Sequence, residues 1–340
     1  MIHGFPEGTV RVSSMQVVPD VICALGYNPA DILPATGIDP QLLREPDALI
    51  SFSSRVHLLR ACAELTNCPD FGLRVGRRGG LSSFGLVGYL AMHSPNVGEA
   101  LQNLIHHLHL HVQGAAVALE RYEEMAFFSY AILQPVPDAS DQLEDAALAI
   151  MYRILTELCG PHWSPSEVWF CHRKPADISP YRRYFGAPLR FDTGRNGLFF
   201  ASSWLDHPVG AADPELNRLL QKQIDQLEAA FTDDFPAQVR RVLHAAIFSR
   251  HCRAGQVAAL FSIHDRTLHR RLKARGTSFR ELVDDARFTI ARQMLESSSA
   301  SLKQVAESLE YADVRAFNRA FKRWSGTSPA RWRRQHGLQG

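Results

Sequence analysis

Two stretches near the C-terminus repeat one plan, and that repeat limits the folds open to the chain more than any other feature. VAALFSIHDRTLHRRLKARGTS (residues 257–278) and VAESLEYADVRAFNRAFKRWSGTS (residues 305–328) each open on Val-Ala and place a leucine three or four residues after the valine. Each then passes a short turn and runs through a basic amphipathic stretch to Gly-Thr-Ser. The pattern predicts helix, turn and basic helix, twice over. At 100° per residue, Leu268 and Leu272 share one side of the first basic helix, and Arg266, His269, Arg270 and Lys273 share the other. In the second copy Phe317, Ala320, Phe321 and Trp324 form the apolar side, opposite Arg315, Asn318, Arg319 and Lys322. The apolar side anchors each helix to its own domain. The polar side suits DNA: an arginine fork matches the O6/N7 edge of guanine, asparagine can pair with adenine N6/N7, and lysine meets phosphate as a point charge. One such helix could be a plain solvated face. Two at matching positions point to two readers of similar objects.

Charge supports a polyanion partner. The whole chain has a net charge of only +2. From Arg240 onward, however, about 20 Lys/Arg stand against about 8 Asp/Glu, while the residues before it carry the remaining 17 basic and 27 acidic side chains. Opposite charge on the two halves suggests two jobs. The stretch TDDFP (residues 232–236) falls where the sign changes, and the domain boundary is expected there: residues 1–231 as one domain, with a core of about 20–220, and residues 236–336 as the other.

The N-terminal region alternates helix and strand signals. Amphipathic helices are expected over residues 53–66, with a serine cap, and over residues 96–112. Residues 115–133 read as two β-segments about the polar RYEE turn, and residues 141–160 as a long apolar helix ended by Gly160. SEVWFCH reads as a buried strand, YFGAPLRFDTGRNGLFFAS as two short strands, and residues 212–231 as a closing helix. Beyond the boundary about seven helices are expected, over residues 236–248, 256–261, 264–275, 278–295, 301–309, 313–324 and 330–336. The fold class is therefore an α+β N-terminal domain followed by an all-α domain. Six cysteines without a CxxC pair read as free thiols of a reducing compartment, and no signal peptide or membrane span is evident, so a cytoplasmic protein is expected.

RTLHRRLKARGTSFRELVDDARFTIARQML, with the AFNRAFKRWSGTSP block and the closing RWR, resembles the AraC/XylS family of bacterial transcription regulators. The resemblance implies two helix-turn-helix units joined by a long helix, with both recognition helices in the major groove. Residues 278–295 would be that joining helix, about 27 Å long, which suits readers on turns about 34 Å apart. Arg266, His269, Arg270, Arg315, Asn318 and Arg319 are then the expected base readers, and Lys273, Lys322 and Arg323 the expected phosphate contacts. Where the family's tight turn has Gly and then a Ser/Thr cap, this chain has Ser262 and His264 in the first unit and Glu310 and Ala312 in the second. Asp265 and Asp313 are the expected substitute caps, and Ser301 with Gln304 the expected capping box of the second unit. In the N-terminal region, IDPQLLREPDALI, CPDFGLRVGRRGGLSSFGLVGYLAMHSPNVGEAL and SPYRRYFGAPLRF resemble the arabinose-binding-like domain found in a subset of the family, ornithine-utilisation and virulence regulators among them. That implies a sensing or dimerising role, without implying arabinose.

Other readings are weaker. His107 and His111, within HHLHLH (residues 106–111), stand four apart, a usable metal spacing, but no third ligand accompanies them, so neither metal nor cofactor is expected. GLVGYLA lacks a preceding strand and is a poor nucleotide loop. An alkyl-repair methyltransferase fused to such a DNA-binding domain would need a zinc-bound cysteine set that Cys23, Cys62 and Cys68 do not provide. A non-specific packaging protein does not need the Arg/Asn pattern. The sequence thus describes a regulator rather than an enzyme, an activator under a small-molecule effector. Its expected partners are promoter DNA, RNA polymerase and a second copy of itself, and not a membrane.

Overall fold

The computed structural model describes residues 8–133, 140–230, 235–248, 253–260, 263–298 and 300–336. The N-terminal region opens on β1 (Thr9–Arg11), α1 (Val18–Ala24), α2 (Pro29–Ile32) and β2 (Leu49–Ser51), with β1 and β2 paired antiparallel. Four helices follow: α3 (Phe52–Leu65), α4 (Phe71–Gly76), α5 (Gly85–Met92) and α6 (Val97–His107). The hairpin β3 (Ala115–Arg121) and β4 (Met125–Ile132) forms about the RYEE turn as the alternation predicts. Then come α7 (Asp141–Cys159), β5 (Glu167–Trp169), α8 (Ser179–Phe185), β6 (Leu189–Arg190), β7 (Asn196–Ala201) and α9 (Pro214–Ala230). The main sheet has the order β3-β4-β7-β5-β6, antiparallel except for the parallel β5–β6 edge.

Helix α7 is the centre of this region. Its apolar residues run around most of its circumference, from Leu143 and Ala146 to Leu155 and Leu158, so it buries almost completely. Gly160, at φ +85°, ends it. Helix α4 packs on α7 backbone to backbone: a Cβ at Gly72 would lie 1.9 Å from the Gln142 carbonyl oxygen, and one at Gly76 would lie 2.3 Å from that of Ala146. On the sheet, Phe128, Leu198 and Phe200 join the α7 core, while alternation sends Phe127, Phe199 and Trp169 to the other face as an aromatic stack.

Two local expectations are corrected. The helix expected from residue 53 starts at Phe52, because the cap is Ser51, whose side chain accepts from the Ser54 N–H. The helix expected over residues 96–112 ends at His107; a 3₁₀ turn follows, and His111 lies beyond it. His107 and His111 therefore do not share a helix face. His107 Nδ1 instead meets Glu228 Oε1 of α9 at 2.8 Å, with His109 Nε2 at 3.3 Å from the same oxygen. Burial works to raise the Glu228 pKa, but the His107 hydrogen bond and the neighbouring histidine charges outweigh it and hold it below its ordinary value. His111 is buried against Phe84, and burial with the nearby Arg55 and Arg11 charges lowers its pKa to about 3.

The rest of the described chain is helical: α10 (Phe235–Phe248), α11 (Ala254–Leu260), α12 (Asp265–Ala274), α13 (Phe279–Ser297), α14 (Leu302–Ser308), α15 (Val314–Ser325) and α16 (Pro329–His336). The expected order is recovered. Residues 231–234 of the expected boundary, and Ser262, His251 and Cys252, lie outside the described residues. Buried apolar side chains gather into two clusters, one drawn from residues 10–224 and one from residues 235–321. The two regions touch where α10 packs on β3 and where α13 meets the sheet near Gly194. No helix among the described residues is long and apolar enough to cross a membrane.

Candidate nucleic-acid interface

Each basic helix is held by its apolar side. On α12, Leu268 and Leu272 are fully buried, while Arg266, His269, Arg270 and Lys273 are exposed. On α15, Phe317, Ala320 and Phe321 are buried and Trp324 is half-buried, opposite exposed Arg315, Arg319, Lys322 and Arg323. Burying two leucines or two phenylalanines is worth several kcal/mol on the scale of about 1.5–3 per side chain, enough to fix which side of a short helix faces outward. The faces are those the periodicity predicts.

The helix starts differ. Asp313 caps α15, its carboxylate accepting from the Ala316 N–H at 2.6 Å, and Ser301 with Gln304 makes the capping box of α14. Both match expectation. Asp265 does not cap α12. The cap position is His264, which makes no side-chain cap bond, and Asp265 lies one residue inside the helix, paired with His269 Nε2 at 3.0 Å. In the turn of the second unit, Glu310 takes φ +61°, the conformation glycine adopts most cheaply, and its carboxylate bonds Arg287 at 3.3 Å.

The expected contact residues fall into two groups. Arg266, Arg270, Lys273, Arg315, Arg319 and Lys322 are exposed, and among the described residues no side-chain hydrogen bond or ion pair engages them. The other three are already occupied or shielded. His269 is paired with Asp265, Arg323 donates to Asp284 Oδ2 at 2.9 Å, and Asn318 is half-buried with its Oδ1 shielded and unpartnered. Helix α13 lies between the units and packs on α12, α14, α15 and α16; its 19 residues span about 28 Å. Ser278 and Glu281 start it with a full capping box.

Sequence reading named Arg319 and Arg323 but not the two arginines of α13 beside them. An open groove between α13 and α15 is lined by Arg280, Arg287, Arg319 and Arg323 beside Asp284 and Tyr311. Arg287 lies 5.4 Å over the Tyr311 ring. Residues 278–295 look like a spacer in sequence, and only their packing against α15 brings Arg280 and Arg287 beside Arg319 and Arg323. A free arginine on the spacer's outer side, Arg280, was the available signal.

Residues 26–209, more than half of the chain, match the family described as the arabinose-binding domain of AraC transcription regulators, N-terminal, and residues 257–335 match a helix-turn-helix domain family. The chain belongs to the AraC family of transcription regulators. It is similar to the HTH-type transcriptional regulator VirS of Mycobacterium tuberculosis, 27% identical over 97% of this chain and 98% of that protein. It is also similar to the ornithine utilization regulator of Pseudomonas aeruginosa, 26% identical over 97% of each. The crystal structure of transcriptional regulator CdpR from Pseudomonas aeruginosa aligns over 95% of this chain and 98% of that one, at 20% identity and a TM-score of 0.47. This AraC-family chain is a DNA-binding transcription regulator with a helix-turn-helix region, and its relatives are named as regulators, not repair enzymes.

Proposed function

We propose that α12 and α15 each enter a major groove, on adjacent turns of one duplex, with α13 setting their spacing. Arg266, Arg270, Arg315 and Arg319 read base edges, assisted by His269 and by Asn318. Lys273 and Lys322 contact phosphate, and Arg323 does so on release from Asp284. The observation that carries this reading is the pair of exposed arginine rows without protein partners, each backed by a fully buried apolar side. An unpaired guanidinium is available to a ligand; one held by a carboxylate must first give that up. Selection of binding sites from random duplexes tests it. Enrichment of one motif with two half-sites about one helical turn apart is expected; affinity without enrichment would reduce the protein to a non-specific binder.

The boundary between the two regions is placed at residues 231–236, supported by the two separate apolar clusters on either side. The N-terminal region is the effector-sensing and self-associating one. Its outer α9 surface exposes Leu216, Leu219 and Leu227 at 36%, 51% and 41%, which supports a homodimer in solution. Sedimentation of the wild type against Leu219→Glu checks this. The reading of activation through RNA polymerase follows from the family resemblance; run-off transcription that falls when the protein is added would reverse it.

A further inference from the structure

A buried carboxyl group in the sensing region has no direct ion pair among the described residues. Glu144 of α7 is fully buried. Its Oε1 accepts from Ser140 Oγ at 2.8 Å and from Gln293 Nε2 at 3.2 Å, both neutral donors, and its Oε2 is buried without a partner. Burial raises the Glu144 pKa above its ordinary value, against the pull of the nearby His172 charge, which is itself paired with Asp145 at 2.9 Å; Arg195 is paired with Glu120. Arg55, also buried, acts on Tyr130 and His111, and its Nε is buried without a hydrogen-bond partner. Buried charges are ordinarily paired, because isolating one from water costs several kcal/mol.

The carboxylate lies behind a cleft. Ala116, Ala118, Tyr130, Asn196 and Arg195, the last paired with Glu120, line one side, and Gln293 and Met294 of α13 line the other. The Tyr130 hydroxyl is buried there with no hydrogen-bond partner, and the Asn196 side chain helps hold the Glu144 pKa down. The cleft holds only about 20 Å³, room for about one water. Gln293 occupies the way to Glu144. It also joins the sensing region to the helix that carries both reading units, across 149 residues of chain.

We propose that this cleft is a binding site for a small ligand bearing a primary ammonium group, which takes the place of Gln293 on the Glu144 carboxylate and so unfastens α13 from the sheet. The ammonium supplies the direct ion pair that Glu144 lacks, and its three donors suit Glu144 Oε2 together with the oxygen that Gln293 vacates. The alkyl chain lies along Ala116, Ala118 and Met294, in space that opens as Gln293 leaves. Because the ligand and α13 compete for one carboxylate, amine binding and DNA binding are coupled, and the coupling is reciprocal. The proposal rests on the reading of the protein as a sequence-specific regulator.

The test uses the full chain, with n-butylamine, 1,4-diaminobutane and, as the uncharged control, n-butanol, followed by calorimetry and by thermal melting. At least one amine should bind and the alcohol should not. Glu144→Gln keeps the side-chain shape but removes the charge, and should weaken amine binding roughly a hundredfold or more. Gln293→Ala removes the competitor, should bind the amine more tightly than wild type, and should shift DNA affinity in the same direction as saturating amine does in wild type. A merely structural Gln293 would leave amine affinity unchanged. If neither amine binds wild type, if Glu144→Gln binds as well as wild type, or if Gln293→Ala gains nothing, the proposal falls. Should Glu144→Gln fail to fold by circular dichroism, the Gln293→Ala comparison decides. Failure of the amine-free wild type to select any DNA motif would instead overturn the regulator reading.

Discussion

Arg270 and Arg319 hold matching places on α12 and α15, exposed and unengaged among the described residues, while Lys273 and Lys322 lie one turn nearer each helix end. Arg270→Ala or Arg319→Ala should cost roughly 1–3 kcal/mol of binding to a selected site and relax preference at a few base pairs. Lys322→Ala should weaken all duplexes about equally and lower the salt slope by about one. Affinities for the selected and random duplexes at several salt concentrations separate the two; proportional loss on both by Arg270→Ala would make that residue a phosphate contact only. Leu272 is fully buried, so Leu272→Ala should destabilise the helical region by about 2–5 kcal/mol, read by denaturant unfolding. Buried histidines of the sensing region pull in opposite senses. For His172, burial alone would lower the pKa, but the Asp145 carboxylate, with Glu144 and the Arg173 carbonyl, raises it to about 10. Its contribution is fully present below the unfolded value of about 6.5 and is lost as pH rises toward 10. His111, at about 3, is neutral in the fold, so its contribution is present above about 6.5 and is lost as pH falls toward 3. Unfolding measured from pH 4 to 10 should therefore show His172→Gln losing the alkaline slope and keeping the acid one.

At the scale of elements, how closely two backbones approach matters as much as side-chain chemistry. Helix α4 presents Gly72 and Gly76 to α7, and a methyl group at Gly72 would meet a main-chain oxygen that cannot rotate away. Gly72→Ala should therefore destabilise the sensing region by at least about 1–3 kcal/mol, despite alanine's better helix propensity. A variant with unchanged melting temperature would show that α4 can slide on α7 freely. Helix α13 is built for rigidity in another way. Its capping box satisfies the first turn, and Trp332 of α16 packs on Phe288 and Phe321 while its Nε1 donates to Glu296 Oε1 at 2.9 Å. Helix α13 is thus fastened at both ends, as the proposed fixed separation of half-sites requires.

Over the whole molecule, a basic helical region and an acidic α+β region each carry an apolar cluster, and they meet along α10, α13 and the β3 side of the sheet. A fragment of residues 233–340 should fold as helix and bind the selected DNA site by itself. Circular dichroism and gel shift check this; an unfolded fragment beside a folded full chain would move the boundary. Ile290 and Met294, which line the cleft in the full chain, become exposed in the fragment. The fragment should therefore be less soluble than the intact regulator, as judged by its concentration limit.

The sequence by itself determined the two reading units, because each is a local object: a 3.6-residue period sorts Leu268 and Leu272 from Arg266 and Arg270 whatever surrounds them, and Asp313 or Ser301 caps a helix from one to three residues away. The β3–β4 hairpin was legible for the same reason, since its register is set by one short turn. What lay between the helices was not legible. Whether His111 stays on α6, whether Asp265 caps or pairs, and whether Arg323 faces DNA or Asp284 depend on which surfaces pack. The Glu144, Asp145, His172 and Tyr181 cluster is assembled from α7, α8 and the segment after β5, and is closed by Gln293 of α13. Only the tertiary structure decided it, because burial turns ordinary acids and histidines into groups with specific partners, and burial is a property of the packed chain.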